Sequence, residues 1–202
     1  MVLGVFLKWY AIIIVAIRDI IGLISRWKVR GVVDGLVYLH SRTPPVIHGD
    51  LHDGNILITA TGDALICDFG LSRIRHDITR TNTAIHEGGR SRFVAPELSS
   101  GPNQFRSNEA SDVYSLSMTI YSLGVHKPPL WNVEHNAQAS RLLEAGKRPG
   151  CESDSQSAGD VEEFIGLDLA RSVKLWSLLR RMWVDAPSER ITASEVREEL
   201  RL

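Results

Sequence analysis

Two short polar motifs constrain this chain more than any other feature of its sequence. Residues 48–55 read His-Gly-Asp-Leu-His-Asp-Gly-Asn, and residues 68–70, after a gap of twelve, read Asp-Phe-Gly. They supply two carboxylates, Asp50 and Asp68, and one amide, Asn55, on either side of two short apolar runs. Phosphoryl transfer requires a set of this kind, in which one group accepts a hydroxyl proton and oxygen ligands hold Mg²⁺ against a triphosphate. The sequence therefore predicts a fold in which these three side chains converge.

The apolar pattern around these motifs predicts short strands followed by a mainly helical body. Two apolar runs, 56–58 and 64–67, flank a polar turn that contains Gly62, which is typical of a β-hairpin. Val46-Ile47 predicts a short strand before the first motif, whereas residues 71–94 lack periodicity and predict a loop. Apolar residues at spacings of three and four predict helices. Their predicted ranges are Arg26–Ser41, Asn108–Val125, Trp131–Ala145, Leu169–Trp183 and Thr192–Leu202.

Three further motif positions lie far from the first two along the chain. Ala95-Pro96-Glu97 follows the predicted loop, Asp112 falls early in a long predicted helix, and Arg190 precedes the last helix. Taken in this order, the five motifs resemble the C-terminal lobe of a eukaryotic protein kinase domain.

The resemblance covers about residues 26–202 and implies an α+β fold that is mainly α-helical, with a short β-hairpin at the catalytic loop. The catalytic loop is residues 48–55, and the activation segment is residues 68–97. We expect the β-rich N-terminal lobe of the family to be absent. Only 47 residues precede His48 and none of them form Gly-x-Gly-x-x-Gly. A five-stranded lobe with one helix needs about 70 residues.

The resemblance assigns nucleotide chemistry to four residues. Asp50 would accept the proton of the attacking substrate hydroxyl, and Asn55 and Asp68 would bind Mg²⁺. Leu57 would contact the adenine ring. ATP and Mg²⁺ are thus the implied cofactors. We nevertheless expect no tight MgATP binding by this chain, because phosphate contacts of the missing lobe, each worth about 1.5–3 kcal/mol, have no counterpart.

The resemblance also assigns structural roles to five residues. His48 and Phe69 would form a stacked pair beneath the catalytic loop, and Asp112 would hold that loop through its backbone. Glu97 would pair with Arg190. Removing one partner of a buried ion pair typically costs about 3–5 kcal/mol, so we interpret these two residues as architectural.

The first 25 residues are the least typical part of the chain. Nineteen of them are apolar, but the longest unbroken apolar run, Trp9–Ile17, has nine residues, whereas a membrane-spanning helix needs about 20. Lys8, Arg18 and Asp19 interrupt the apolar pattern. We expect a helical segment that packs on the domain of a cytoplasmic protein. A membrane anchor formed by residues 1–25 is the alternative.

Several positions depart from the family pattern. Gly49 stands where active kinases usually carry an arginine, and Arg90 stands where a threonine usually hydrogen-bonds the catalytic aspartate. His52 and Gly54 occupy the positions that distinguish serine/threonine from tyrosine kinases, and carry neither signature. Residues 88–98 are most similar to the tyrosine-kinase-like branch, which mainly phosphorylates serine and threonine. We therefore expect serine or threonine, rather than tyrosine, as the acceptor.

Composition narrows the choice of partner. The chain has 23 basic and 24 acidic residues, a net charge of −1, and no basic stripe interleaved with aromatic residues. Its two cysteines do not support a disulfide framework and are typical of a reducing compartment. We expect a protein substrate or protein partner and no nucleic acid, with membrane attachment only in the alternative in which residues 1–25 form an anchor.

Three functions remain open from the sequence. The first is a protein kinase whose N-terminal lobe is missing from this chain through truncation or an incomplete gene model, so that the isolated lobe is inactive. The second is a non-catalytic, pseudokinase-like interaction module, whose apolar N-terminus covers the surface left bare. The third is a small-molecule kinase of the aminoglycoside or choline type, whose loops often read His-Gly-Asp-Leu-His-x-Gly-Asn. The third ranks last because that class is not expected to carry Ala95-Pro96-Glu97 together with Asp112 and Arg190.

Overall fold

A computed structural model of the chain describes residues 29–74, 88–99, 107–149 and 169–200. The apolar segment 1–25 and the greater part of the predicted loop lie outside these residues. Residues 29–40 form helix α1. The other helices are α2 (Pro96–Ser99), α3 (Glu109–Val125), α4 (Asn136–Glu144), α5 (Leu169–Met182) and α6 (Ala193–Glu199). The strands are β1 (Val46–Ile47), β2 (Ile56–Ile58), β3 (Ala64–Ile66) and β4 (Arg73–Ile74), and one-turn 3-10 helices lie at Asp53–Asn55, Phe69–Leu71, Gly88–Arg92 and Pro187–Glu189.

Helix α3 is the central element of the core. Thirteen of its residues are buried, and a helix that is buried on nearly every side is typical of the interior of a helical domain. Two of its buried hydroxyl groups, those of Ser117 and Thr119, donate to carbonyl oxygens of the preceding turn at 2.6 and 2.8 Å. Asn108 accepts from the Ser111 amide and begins the helix with a capping box.

The hairpin packs one face on helix α1 and leaves the other face exposed. Strands β2 and β3 are antiparallel, with Leu57 opposite Leu65. These two side chains share a face and are 57% and 52% exposed. On the opposite face, Gly31 of α1 lies so close to Ala64 that a Cβ atom added there would be 2.6 Å from the Ala64 carbonyl oxygen. The glycine therefore allows the helix to approach the hairpin closely.

Most of the predicted elements are confirmed where the chain is described. The hairpin, the strand Val46–Ile47 and the helix that starts after Asn108 are all present. The loop prediction for residues 71–94 is wrong at Arg73–Ile74, which pair with Val46–Ile47 because that strand offers free backbone groups.

The predicted helix Trp131–Ala145 begins later than expected. It starts at Asn136, after a turn in which the Val133 amide donates to the Leu130 carbonyl oxygen at 2.9 Å. Leu130, the residue before the predicted range, has a φ of 51°, a left-handed conformation that belongs to this turn. Among the residues that the structure describes, no helix has the length and apolar character needed to cross a bilayer.

Candidate active site

The catalytic loop is attached to the start of helix α3 through Asp112. The buried carboxylate of Asp112 accepts from the backbone amides of His48, at 2.8 Å, and Gly49, at 2.9 Å. His40 of helix α1 places its Nε2 3.0 Å from the same carboxylate. Gly49 has a φ of 78°, a left-handed conformation that glycine adopts without steric cost, and two consecutive amides thereby face one side chain. Asp112 thus joins helix α3 to two consecutive backbone amides of the loop.

His48 lies beneath the loop and contacts Phe69 edge-on. The ring centroids are 5.3 Å apart and the rings are inclined by 68°, so the two rings are not stacked as expected. His48 Nδ1 accepts from the Asp50 amide at 3.3 Å, which leaves Nε2 to donate to the Cys67 carbonyl oxygen at 3.1 Å. These bonds fix a neutral tautomer and link the catalytic loop to the residue before Asp68.

Asp50 and Asn55 are joined directly. The buried Asn55 amide nitrogen donates to the Asp50 carbonyl oxygen at 2.8 Å and lies 3.5 Å from the Asp50 carboxylate atom Oδ2. Because the amide nitrogen is used inside the loop, the amide oxygen of Asn55 is the atom that remains for a metal ion. The 3-10 turn Asp53–Asn55 gives the loop the bend that turns the Asn55 side chain back towards Asp50.

Asp68 comes next to Asn55 through the end of the hairpin. The Cys67 amide donates to the Asn55 carbonyl oxygen at 2.9 Å. Asp68 is therefore the residue that follows the backbone partner of Asn55. Asp68 is exposed and has a φ of 60°, and its Oδ1 accepts from the Gly70 amide at 3.2 Å. A carboxylate and an amide oxygen are hard donors that fit Mg²⁺. Leu57 lies exposed on the neighbouring strand.

Three further contacts surround the loop, and the sequence pointed only to the first, through the position of Arg90 in the family pattern. Arg90 Nη1 lies 3.2 Å from Asp50 Oδ2. Ser122 of helix α3 donates to Asp53 Oδ2 at 2.5 Å, so α3 holds the loop at a second point. A serine in an apolar helix gave no signal of this.

His52 makes the third of these contacts. Its Nδ1 accepts from the Gly54 amide at 3.0 Å, and its Nε2 lies 3.9 Å from Asp50 Oδ2. Burial lowers the pKa of His52, opposed mainly by the attraction of Asp50. The imidazole is therefore a neutral neighbour of Asp50 at pH 7.

Glu97 and Arg190 are in direct contact. Arg190 donates to both carboxylate oxygens of Glu97, at 2.6 and 2.7 Å, and to the backbone carbonyl oxygens of Val184, Asp185 and Ala110. The arginine thereby satisfies its donors in the interior.

Comparison with known proteins shows the family of the chain. The family model of the protein kinase domain matches residues 24–200, and the chain belongs to the protein kinase family.

Several relatives are serine/threonine-protein kinases by name. The probable serine/threonine-protein kinase WNK4 of Arabidopsis thaliana is 36% identical over 154 residues, which are 75% of this chain and 25% of that protein. The receptor-interacting serine/threonine-protein kinase 2 of Bos taurus is 29% identical over 77% of this chain and 28% of its own length. The human serine/threonine-protein kinase WNK4 is 33% identical over 62% of this chain and 10% of its own length. The chain thus spans about a quarter or less of the curated relatives it matches.

Proposed function

We propose that this chain carries the catalytic loop and metal ligands of a serine/threonine protein kinase, in which the γ-phosphate of ATP passes to a protein hydroxyl. The observation that carries the proposal is the pair Asp50–Asn55, held 2.8 Å apart through the Asn55 amide and the Asp50 carbonyl oxygen. The serine/threonine names of the relatives support the choice of acceptor.

In this proposal each residue has one task. Asp50 accepts the proton of the acceptor hydroxyl, which helps that oxygen to attack phosphorus. Asn55, through its amide oxygen, and Asp68, through its carboxylate, hold Mg²⁺. When bound, Mg²⁺ neutralises charge on the phosphates. Leu57 offers an exposed apolar surface against which an adenine ring can pack, and this contact sets the position of the nucleotide on the hairpin.

The finer assignment concerns which part of a kinase the chain represents. We propose that residues 26–202 are a C-terminal lobe of the tyrosine-kinase-like branch in a cytoplasmic protein, and that the isolated chain is inactive. The support is the sequence before the catalytic loop, since residues 1–47 contain no glycine-rich phosphate loop. Without the contacts of that loop, the nucleotide loses several charge-assisted hydrogen bonds.

Binding of manganese and ATP tests the proposal, because Mn²⁺ takes the same oxygen ligands as Mg²⁺ and is visible by electron paramagnetic resonance. We expect the full chain to bind MnATP weakly, with a Kd of about 0.1–1 mM, and Asp68→Asn to weaken binding by roughly tenfold. Asp63→Asn is the matched control, since Asp63 is an exposed aspartate of the same hairpin, at its turn. Equal affinity in the two variants would refute the metal assignment.

A non-catalytic interaction module is the second candidate. The observation that favours it is the outer face of the hairpin, where Leu57 and Leu65 are both more than half exposed. If MnATP changes no resonance of the catalytic loop or the hairpin in a nuclear magnetic resonance spectrum, this candidate is supported over the first. Transfer of phosphate to an aminoglycoside or choline instead of a protein would support the small-molecule kinase.

A further inference from the structure

Two arginines of the 3-10 turn Gly88–Arg92 have opposite environments. Arg92 is buried, and its guanidinium donates to the Asn136 side chain at 2.7 Å and to three backbone carbonyl oxygens before helix α4. Those carbonyl groups belong to Pro129, Leu130 and Val133. Arg92 therefore anchors the turn to the body of the domain. Arg90, two residues earlier, takes no part in this anchor.

Arg90 reaches the catalytic loop instead. Its side chain is 44% exposed, and Nη1 lies 3.2 Å from Oδ2 of Asp50, whose side chain is only 13% exposed. Within the described residues, this carboxylate is the only partner of the Arg90 guanidinium. Because one member of the pair is mostly shielded from solvent, salt screens this ion pair less than a pair in which both members are exposed.

The two oxygens of Asp50 are not equivalent. Oδ2 faces Arg90, the Asn55 amide nitrogen at 3.5 Å and His52 Nε2 at 3.9 Å. No group in the described parts of the chain donates to Oδ1. The side-chain torsion that exchanges the two oxygens is broad and roughly two-fold in an unrestrained aspartate, so a cation at one oxygen favours a single orientation.

We propose that Arg90 is a positioning residue for Asp50: it engages Oδ2 and leaves Oδ1 to receive the proton of the acceptor hydroxyl. The inference rests on the proposed function, in which Asp50 is the proton acceptor. Because Arg92 anchors the same turn, the Asp50 carboxylate is held by a residue of the activation segment. The orientation of this carboxylate therefore depends on whether that segment is ordered. Arg90 itself touches neither nucleotide nor acceptor in this role.

Chemical labelling of carboxylates in the full chain tests the contact without requiring catalysis. A carbodiimide and an amine are applied, and the labelling rate of Asp50 is read by mass spectrometry, with exposed Asp63 in the same tryptic peptide as the internal reference. We expect Arg90→Gln, which keeps a donor but removes the charge, to raise the Asp50 rate about threefold or more. Arg90→Lys should restore it. Arg181→Ala, which breaks an exposed ion pair with Glu199, should leave it unchanged.

Orientation is tested separately by the carboxyl carbon-13 resonance of Asp50, which should move in Arg90→Gln and return in Arg90→Lys, at equal melting temperatures. An Asp50 labelling rate and resonance that are the same in all variants would overturn the proposal. Loss of MnATP binding in Arg90→Gln would also overturn it, because Arg90 would then be a phosphate ligand. A gain in phosphoryl transfer in Arg90→Gln would overturn it as well, because Arg90 would then obstruct Asp50. If Asp68→Asn leaves MnATP binding intact, the proposed function fails while the labelling result still reports on the pair.

Discussion

The guanidinium of Arg190 and the carboxylate of Glu97 meet through two parallel hydrogen bonds, Nη1 to Oε1 at 2.6 Å and Nη2 to Oε2 at 2.7 Å. The two residues are 93 positions apart, and the arginine side chain is fully buried. The pair therefore ties the end of the activation segment to the turn before helix α6. Its geometry is that of the strongest protein ion pairs, and its burial makes each partner depend on the other.

Arg190→Met should lower the free energy of unfolding by about 3–5 kcal/mol, because it leaves the Glu97 carboxylate without its charged partner. Urea denaturation at pH 7 measures this. The matched control is Arg181→Ala, whose partner Glu199 and own side chain are both about half exposed, and which should cost no more than about 1 kcal/mol. Equal losses in the two variants would show that the Glu97–Arg190 pair is not architectural.

Asp112→Asn should loosen the catalytic loop. Each charged oxygen of Asp112 accepts from one backbone amide, whereas asparagine has a single, neutral acceptor oxygen. Hydrogen bonds to a charged group contribute about 1.5–3 kcal/mol, and the loss in unfolding free energy should lie in that range. Hydrogen exchange should show faster exchange at the amides of His48 and Gly49. Asp34→Asn, on the exposed side of helix α1, is the control. Unchanged exchange at both amides would contradict the anchoring role.

The contacts that sequence could predict belong to motifs with a fixed place in the order of the chain. Glu97 with Arg190, and Asp112 with the catalytic loop, were expected from such motifs, and the structure holds each set within hydrogen-bond distance. The hairpin was predictable because its apolar runs and Gly62 act locally.

What could not be predicted depends on contacts between distant segments. Arg73–Ile74 become a strand only because Val46–Ile47 lie beside them. Helix α4 is preceded by a turn in which the carbonyl oxygens of Leu130 and Val133 accept from the distant Arg92 side chain. Ser122 and Asp53 are 69 positions apart and no local pattern joins them, whereas the family position of Arg90 indicated a residue near Asp50 but not an ion pair.

Gly31→Ala should destabilise the fold, whereas Gly35→Ala should not. A Cβ atom at Gly31 would meet the Ala64 carbonyl oxygen at 2.6 Å, and this backbone atom moves only with the hairpin. We expect a loss of about 1–3 kcal/mol from overpacking, in part offset by the higher helix propensity of alanine. At Gly35 the neighbour is the flexible end of Ile66, at 3.2 Å, so the propensity gain of up to about 1 kcal/mol should dominate. Urea denaturation of both variants compares them, and a Gly31→Ala protein as stable as Gly35→Ala would show that helix α1 does not pack closely on the hairpin.

Tyr114 should make stability depend on alkaline pH. It is fully buried in helix α3, and burial raises the pKa of its hydroxyl well above the ordinary value of about 10. Between pH 10 and the raised pKa of the folded state, the unfolded chain has released this proton and the folded chain keeps it. The free energy of unfolding should therefore fall by up to about 1.4 kcal/mol per pH unit above pH 10, and this part of the slope should be absent in Tyr114→Phe.

The hydroxyl of Tyr114 has no hydrogen-bond partner in the described part of the chain, so at pH 7 the phenylalanine variant should lie within about 1 kcal/mol of the wild type. Urea denaturation at pH 7, 9 and 11 separates the two effects. Tyr38→Phe, at an exposed position of helix α1, is the control and should keep the wild-type slope. If Tyr114→Phe keeps that slope as well, the ionisation of Tyr114 does not contribute to alkaline unfolding, and its hydroxyl must reach water or a donor in the folded chain.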